Sequence, residues 1–121
     1  ILLAKYMPWV DADRWGPVGY AQGGPSRRKV PGEAEVATLY LLRGAQGRGL
    51  GARLLTQTAR ALASRGARSL VISVLRDNAA ARGFYEHLGG EAEPERQEPG
   101  PGGGTYFEVA YRWAEIATLI G

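Results

Sequence analysis

A loop with glycine at alternate positions is the feature of this chain most clearly suited to chemistry. Gly47, Gly49 and Gly51 follow the apolar run 39–42 and precede a stretch of helical period. Glycine has no Cβ, so the backbone N–H groups of such a loop can approach an anion closely. The first turn of the following helix adds unpaired N–H donors and the positive end of its dipole. The sequence therefore predicts that this loop binds a pyrophosphate or a similar anion.

The composition of the 121-residue chain limits the other kinds of chemistry. Apolar content of 45% and charged content of 22% are ordinary for a soluble globular protein, and the length predicts one domain over residues 1–121. The chain has no cysteine and one histidine, His87, which disfavours a thiolate nucleophile, a Ser/His triad and a histidine metal site. We therefore expect a cytoplasmic protein without a metal. A net charge of +3 is too small to indicate nucleic acid, and no apolar stretch is long enough for a membrane span.

Hydrophobic periodicity predicts the elements that position the glycine loop. Residues 33–42 alternate as a strand that is largely apolar on both faces beyond residue 36, as is typical of a central strand covered on both sides. The period becomes helical over 50–65, and Gly66 is suited to end that helix. A second buried strand follows at 69–75. This order of strand, loop, helix and strand predicts a right-handed βαβ unit with parallel strands.

Outside this unit, the pattern predicts antiparallel strands and a second helix. The final strand, 105–113, alternates cleanly, with its apolar side chains facing inward. The other predicted elements are a turn at 11–16, a short strand at 17–21 ended by residues 23–25, a basic loop at 26–32, a helix at 79–88 capped by Asp77 or Asn78, a strand at 91–98 and a loop at 99–104. We interpret the basic cluster 27–29 and the acidic run 91–98 as solvated loops.

Three classes of phosphate-binding loop could account for the glycines. A Walker A loop requires Gly-Lys-Ser/Thr, but Ala52 and Arg53 follow Gly51, which excludes this class. A dinucleotide-binding fingerprint stays open, because residues 47–52 satisfy G-x-G-x-x-A and Asp77 follows the second strand. The short chain, and the antiparallel strands on both sides of a single βαβ unit, count against this second class.

The third class explains more of the chain. Residues 46–51 resemble the Q/R-x-x-G-x-G/A motif of the GNAT family of N-acetyltransferases, and residues 78–89 resemble its second motif, N-x-x-A-x-x-F-Y-x-x-x-G. The separation between the motifs is also what the family shows. The resemblance covers residues 17–113 and is sharpest from 35 to 90. It implies the acyl-CoA N-acyltransferase-like fold, an α/β (α+β) fold whose mixed, mostly antiparallel twisted sheet holds a central βαβ cofactor unit.

The sequence departs from the family pattern in two places. In the family, a strand and two helices precede the central hairpin and shape much of the acceptor pocket. Residues 1–10 cannot supply these elements, so we expect the N-terminal strand and helices to be missing from this sequence. Gly90 stands where the family commonly has an aromatic residue, and we expect this difference to be minor.

The resemblance implies an enzyme that transfers the acetyl group of acetyl-CoA directly to a primary amine in a ternary complex. The loop amides and the N-terminus of the helix would bind the CoA pyrophosphate, and the backbone of the preceding strand would bind the pantetheine arm. Arg48 would contact a phosphate or be a solvated charge, and Asn78 would contact the pantetheine or cap its helix. The implied cofactor-binding residues are Leu39, Tyr40, Leu41, Leu42, Gln46, Gly47, Arg48, Gly49, Leu50, Gly51, Ala52, Asn78, Ala81, Phe84 and Tyr85.

The resemblance also implies three catalytic groups. Tyr85 matches the family's tyrosine acid, which protonates the departing thiolate; the alternative is an aromatic that packs the helix on the sheet, the role expected of Phe84. Glu35 matches a carboxylate base that acts directly or through water, with Glu33 as the substitute; the alternative is a glutamate in solvent. The backbone N–H of Leu41, with an uncertainty of one residue, would stabilise charge on the thioester oxygen.

Other functions and partners stay open at this point. The chain could be a CoA-binding regulatory module without catalysis or, less favoured, a dinucleotide-binding enzyme. The acceptor is a small-molecule or peptide amine that the sequence does not identify, and we expect neither nucleic acid nor membrane as a partner. The acidic run 91–98 and the loop 99–104 lie where the family closes its acceptor site, which hints at a cationic substrate. The exposed final strand would permit a homodimer.

Overall fold

Seven strands form one mixed sheet in the computed structural model, which describes residues 2–6, 9–11, 14–15, 19–41 and 49–120. The strands and helices, in chain order, are β1 (Leu2–Tyr6), β2 (Trp9–Asp11), β3 (Arg14–Trp15), β4 (Gly19–Pro25), β5 (Glu33–Leu41), α1 (Leu50–Ser64), β6 (Ser69–Leu75), α2 (Ala79–His87), β7 (Glu91–Ala92), β8 (Arg96–Pro99), β9 (Thr105–Trp113) and α3 (Ala117–Ile120). A 3₁₀ turn at Pro101–Gly103 precedes β9. Strands β2 and β3 form a separate two-stranded hairpin.

The sheet order is β1-β4-β5-β6-β9-β7, and β8 also pairs with β9. Only β5 and β6 are parallel, and every other pair in the sheet is antiparallel. The parallel pairing covers Glu33–Glu35 on β5 against Ser69–Val71 on β6, although both strands continue beyond it. The two central strands therefore diverge toward their carboxyl ends. This confirms the predicted mixed, mostly antiparallel sheet with one βαβ unit.

Helix α1 buries one stripe of its surface against the sheet. Its buried residues recur with helical spacing: Leu50, Gly51, Leu54, Leu55, Thr58, Ala59 and Leu62. After the helix, Gly66 adopts a left-handed conformation with φ of 101°, and Ala67 N–H donates to the carbonyl of Leu62. Glycine adopts this conformation at low cost, so the helix ends just before Gly66, as the sequence predicts.

One continuous apolar core lies on the helix-bearing face of the sheet. It takes alternate residues from each central strand, because successive side chains of a strand point to opposite faces. On β6 these are Leu70, Ile72 and Val74, and their antiparallel partners on β9 are Trp113, Tyr111 and Val109. Leu54, Leu55, Ala59 and Leu62 of α1, Tyr85 of α2 and Leu119 of α3 belong to the same cluster.

The opposite face of the same strands is polar and also buried. Glu33, Glu35 and Ser69 are each less than a tenth exposed, as is Val71 between them. Strand β5 is thus covered on both faces over residues 33–36, whereas the prediction placed the cover beyond residue 36, where Ala37 is exposed and Leu39 is half-buried. The cover on the polar face comes from charged loop side chains.

Several element boundaries differ from those predicted. Residues 23–25 do not end a strand: β4 runs through them to Pro25, with an irregularity in its pairing with β5 between Gln22 and Gly23. A Cβ on Gly23 would lie 3.1 Å from the Glu35 carbonyl oxygen and 3.2 Å from Leu62 Cδ1, so this glycine permits close packing.

The predicted strand 91–98 is two short strands, β7 and β8, with Pro94 in the break between them. The predicted bounds of β6 and β9 are confirmed. Near the start, β1 pairs antiparallel with β4, and the described residues between these strands form the β2–β3 hairpin and no helix. None of the helices among the described residues is both long and apolar enough to cross a membrane.

Candidate cofactor and active site

A cavity of about 370 Å³ lies where β5 and β6 diverge. We call it the cleft cavity. Its lining residues are Val36, Ala37, Leu39, Ile72, Ser73, Val74, Leu75, Asn78, Ala81 and Tyr85. Where parallel pairing stops, the facing backbone groups of the two strands need other hydrogen-bond partners. The cleft can therefore accept an extended ligand along the strand backbone, with mostly apolar side chains around it.

The cleft brings together four of the residues that the sequence predicted to bind the cofactor. Leu39 lies on β5, whereas Asn78, Ala81 and Tyr85 lie on the second helix and its N-cap. Asn78 Oδ1 accepts a hydrogen bond of 3.1 Å from the N–H of Ala81, so this side chain caps α2 at the edge of the cleft. This cap orients α2 with its small residue, Ala81, toward the cavity.

Tyr85 is the most buried polar side chain of the cleft. It is 7% exposed, and its ring centroid lies 5.9 Å from that of Tyr111 and 6.1 Å from that of Trp113, which meets it edge-on. Burial raises the pKa of the Tyr85 phenol above its ordinary value. None of the described residues hydrogen bonds to its hydroxyl. The group therefore keeps its proton at neutral pH and can donate it into the cleft.

Three hydrogen bonds fix α2, and with it Tyr85, against β9. Tyr111 Oη donates a 2.5 Å hydrogen bond to Glu86 and accepts one of 2.9 Å from Arg82 Nε. Trp113 Nε1 donates to the carbonyl oxygen of Leu88 at 3.0 Å, at the end of the helix. The alternation of residues 105–113 predicts only that the apolar side chains of β9, Tyr111 and Trp113 among them, face inward. Their alternation places them in the core, but nothing in the sequence indicates their contacts with α2.

Trp113 also explains the departure at Gly90. A Cβ on Gly90 would lie 2.7 Å from Trp113 Cζ2, well inside van der Waals contact. The indole of Trp113 therefore occupies the space that a side chain at position 90 would need.

The described part of the glycine loop is its junction with α1. Gly49 is the N-cap with φ of 73°, and as a glycine it has no side chain that could cap the first turn. The first N–H groups of a helix have no partner within the helix, so those of α1 are suited to bind an acceptor from outside it. Leu50 and Gly51 are buried and Ala52 is half-buried. The predicted residues Leu42, Gln46, Gly47 and Arg48 lie outside the described residues.

For Tyr40 and Leu41 the structure describes the backbone alone. Tyr40 pairs with Tyr20 and Leu41 with Gly19, both on β4. The other edge of this part of β5 faces the diverging β6.

The side chain of Phe84 is half-buried, packs against the core and lies 5.5 Å from Tyr85 between ring centroids. It does not line the cleft cavity.

Glu35 lies on the opposite face of the sheet from Tyr85 and does not line the cleft. Its carboxylate accepts hydrogen bonds from the backbone N–H of Arg27 at 3.0 Å and from its Nε and Nη2 at 2.9 and 2.6 Å. Burial by itself raises the pKa of Glu35, but these hydrogen bonds and the charge of Arg27 outweigh it, so the pKa is lowered. A carboxylate held in this way is a weak proton acceptor.

Glu33 is still more enclosed, with a side chain that is 0% exposed. Its carboxylate accepts from Ser26 Oγ at 2.8 Å, from Arg28 at 2.8 and 2.9 Å and from Arg112 at 3.1 Å. Burial favours a raised pKa, but the hydrogen bonds from Arg28, Ser26 and Arg112 prevail and lower it. The structure therefore does not bring either glutamate together with Tyr85.

These contacts correct our interpretation of the charged segments as solvated loops. Arg27 and Arg28 cover the polar sheet face and pair with Glu35 and Glu33, and Arg28 also pairs with Glu93 of the acidic run. Buried carboxylates need such partners, because an isolated buried charge is costly. No group of three or more acidic, His or Cys side chains among the described residues is arranged to hold a metal ion.

Comparison with known proteins gives one family match. The model of the Acetyltransferase (GNAT) family matches residues 3–90, which is most of the chain. No curated protein matches the sequence.

Solved structures share the fold. A GNAT-family protein from Desulfovibrio desulfuricans is 27% identical with a TM-score of 0.68, over 83% of this chain and 62% of that protein. The ribosomal-protein-S18-alanine N-acetyltransferase from Escherichia coli is 26% identical with a TM-score of 0.62, over 79% and 60%. The Salmonella typhimurium protein yncA, solved with its cofactor acetyl-CoA, is 23% identical with a TM-score of 0.68, over 84% and 59%. The chain thus spans about three fifths of the length of these relatives.

Proposed function

Because this chain belongs to the GNAT family of acetyltransferases, we propose that it transfers the acetyl group of acetyl-CoA to an amine within a ternary complex. The observation that carries the proposal is the cleft cavity, in which a buried tyrosine and the N-terminal turn of α2 face the opening between two diverging strands. When bound, acetyl-CoA supplies a thioester, which provides an electrophilic carbonyl carbon and a thiolate leaving group. Direct transfer suits a chain without a cysteine nucleophile.

The binding part of the proposal uses backbone groups. The backbone of Leu39, Tyr40, Leu41 and Leu42 would hold the pantetheine arm in the cleft, and the N–H of Leu41 would stabilise negative charge on the thioester oxygen. Residues 46–52 would hold the pyrophosphate, with the uncapped N-terminus of α1 supplying N–H donors. The cleft cavity supports the first part of this fit, because Leu39 of β5 lies in its wall.

The acid in this proposal is Tyr85, whose hydroxyl would donate a proton to the departing sulfur. Its raised pKa favours the role, because an acid must still carry its proton at working pH. From the sign of that shift, ionisation of Tyr85 does not reduce the rate below about pH 10, the ordinary value of a phenol.

The proton acceptor in this proposal is a water molecule. Glu35 and Glu33 are both held by arginines and both have lowered pKa values, which makes them poor acceptors for the proton of an ammonium group. Of the three alternatives, Glu35, Glu33 and water, we therefore favour water as the proton acceptor.

The experiment is a thiol-release assay with acetyl-CoA across a panel of amines. Tyr85→Phe should lower kcat about 100-fold, the lower range for loss of a general acid, while leaving the KM for acetyl-CoA within about threefold. Glu35→Gln should change kcat much less than Tyr85→Phe does. His87→Gln, on the exposed side of the same helix, is the matched control. An unchanged kcat in Tyr85→Phe would remove Tyr85 from the mechanism.

A second candidate function is a CoA-binding module without catalysis. The arginine contacts of Glu33 and Glu35 favour it, because they occupy both carboxylates that could have served as bases. Calorimetric binding of acetyl-CoA without thiol release for any amine would support this candidate. Absence of acetyl-CoA binding would refute both functions.

A further inference from the structure

A second cavity, of about 520 Å³, lies on the polar face of the sheet. We call it the charged cavity. Its lining residues are Arg27, Arg28, Glu35, Val71, Ser73, Arg96, Glu98, Tyr106 and Glu108. Ser73 of β6 lines both this cavity and the cleft cavity. The two cavities therefore share Ser73, whose Oγ accepts a hydrogen bond of 3.4 Å from Arg96 Nη2.

The wall formed by β8 and β9 consists of two cross-strand pairs, Arg96 with Glu108 and Glu98 with Tyr106. Directly opposed residues of antiparallel strands lie on the same face of the sheet, so both pairs present their side chains to the cavity. Arg96 Nη2 lies 2.7 Å from Glu108 Oε1, which neutralises the first pair. In the second pair, a carboxylate stands opposite an aromatic ring instead of a cation.

Glu98 is also uncompensated by the rest of the cavity. Arg27 is bound to Glu35, and Arg28 is bound to Glu33 and Glu93. Among the described residues, no side chain forms an ion pair or hydrogen bond with the half-buried carboxylate of Glu98. The cavity therefore contains one negative charge that a ligand could neutralise, whereas its arginines already have carboxylate partners.

A carboxylate and a tyrosine that line the same cavity are a combination suited to alkylammonium groups, because the carboxylate supplies charge and the aromatic face attracts cations. We propose that Glu98 and Tyr106 bind a second cationic group of the acceptor, so that the preferred acceptors are diamines or longer polyamines. Their reactive amine would lie toward Ser73 and the cleft. The transfer step rests on the proposed function, but binding of the dication does not.

The primary experiment measures binding to the full chain without transfer. Calorimetry at low ionic strength would compare 1,4-diaminobutane with 1-aminobutane, which has the same carbon chain and one charge fewer. We expect the diamine to bind roughly tenfold more tightly, and Glu98→Gln to remove most of this difference. Glu91→Gln, an exposed glutamate outside the cavity, should retain it. Since Glu98 makes no ion pair or hydrogen bond with the described residues that glutamine would lose, circular dichroism should show that Glu98→Gln folds normally.

A transfer assay separates this inference from the proposed function. We expect kcat/KM for the diamine to exceed that for the monoamine, with Glu98→Gln and Tyr106→Leu each lowering the ratio of the two values. Diamine binding that depends on Glu98, with no acetyl transfer to any amine, would refute the proposed function and leave the binding site standing. Equal affinity for the two amines, or no effect of Glu98→Gln on binding, would each overturn the inference. Tighter binding of 4-aminobutanoate than of 1,4-diaminobutane would also overturn it.

Discussion

The two faces of the central strands are built from alternate residues of the same segments and are stabilised in different ways. On the helix-bearing face, Leu70, Ile72 and Val74 of β6 pack with apolar residues of β9 and the helices. On the polar face, Ser69 and Ser73 alternate with them beside buried, ion-paired glutamates. The first face is stabilised by apolar burial, and the second by charges that neutralise one another under the loops.

This difference assigns separate tasks to the two faces. The apolar face fixes Tyr85, because the aromatic residues of β9 pack directly against it. On the polar face, Arg27 and Arg28 lie over the sheet and form ion pairs with Glu35 and Glu33. Among the described residues of the charged cavity, Glu98 is therefore the carboxylate that can bind a cationic ligand. Four substitutions test this division, two on each face.

Removal of Trp113 should have the largest effect on stability. Trp113 is 2% exposed, packs edge-on against Tyr85 and donates a hydrogen bond to Leu88. Trp113→Ala should lower the free energy of unfolding by about 4 kcal/mol, because it removes a large buried side chain and leaves a cavity. Urea unfolding measures this loss. Val30→Ala, at an exposed apolar residue, is the control and should cost less than about 0.5 kcal/mol.

Neutralising Glu33 should have the next largest effect. Glu33→Gln removes the carboxylate shared by Arg28 and Arg112 and should cost about 2 to 3 kcal/mol. The effect is smaller than that of Trp113→Ala because both arginines are partly exposed and water can solvate them. Glu91→Gln is the exposed control. A cost below about 0.5 kcal/mol would mean that the ion pairs of the polar face add little to stability.

The same glutamate gives a dependence of stability on pH. The pKa values of Glu33 and Glu35 are lowered in the folded state from the ordinary 4.5, so the unfolded chain binds their protons first as the pH falls. The contribution of the two glutamates to the free energy of unfolding is therefore complete above about pH 4.5. It is lost as the pH falls through their lower pKa values in the folded state. Urea midpoints measured downward from pH 6 should decline less steeply for Glu33→Gln than for the parent chain.

The sequence predicted the framework of the apolar face well. A period of two in 69–75 and 105–113, and a period of 3.6 in 50–65, follow directly from the geometry of strands and helices. Glycines at 49 and 66 adopt positive φ at the two ends of α1, where a Cβ would cause strain. Local patterns are informative here because each residue's role depends on its near neighbours. The prediction failed at Gly23, whose role depends on a strand and a helix that lie far away in sequence.

The polar face could not be predicted in the same way. Alternation placed Glu33 and Glu35 on one face, but it did not show what covers that face. Arg112 meets Glu33 across 79 residues, and this contact depends on the pairing of β6 with both β5 and β9. The pairing of Glu98 with Tyr106 likewise depends on the register of β8 against β9. For this reason, the sequence predicts a candidate base at Glu35 or Glu33 and does not indicate the arginines that pair with them.

Overpacking beside Trp113 should lower the free energy of unfolding by less than Glu33→Gln does. Gly90→Ala places a Cβ 2.7 Å from the indole, and a rigid ring can relieve this contact only by displacing its neighbours. We expect a cost of about 1 to 2 kcal/mol in urea unfolding. Gly83→Ala, in the interior of α2 with open space around its Cα, should instead be neutral or stabilising by up to about 1 kcal/mol.

A double mutant checks the cause of the Gly90 effect. Trp113→Phe provides a smaller ring, so Gly90→Ala should cost less in that background than in the parent chain. Equal costs in both backgrounds would show that the strain lies elsewhere than against the indole.

The smallest effect on stability is expected from Arg96→Gln on the polar face. Its guanidinium pairs with Glu108, but the side chains are 42% and 19% exposed, so the loss should be about 0.5 kcal/mol and should vanish in 1 M salt. The substitution would nevertheless leave Glu108 without its partner, beside the unpaired Glu98. The charged cavity would then present two free carboxylates, and 1,4-diaminobutane should bind several-fold more tightly than to the parent chain at low ionic strength. A large loss of stability with unchanged diamine affinity would contradict this division, because it would make Arg96 part of the structural ion pairs and not a charge that shields the cavity.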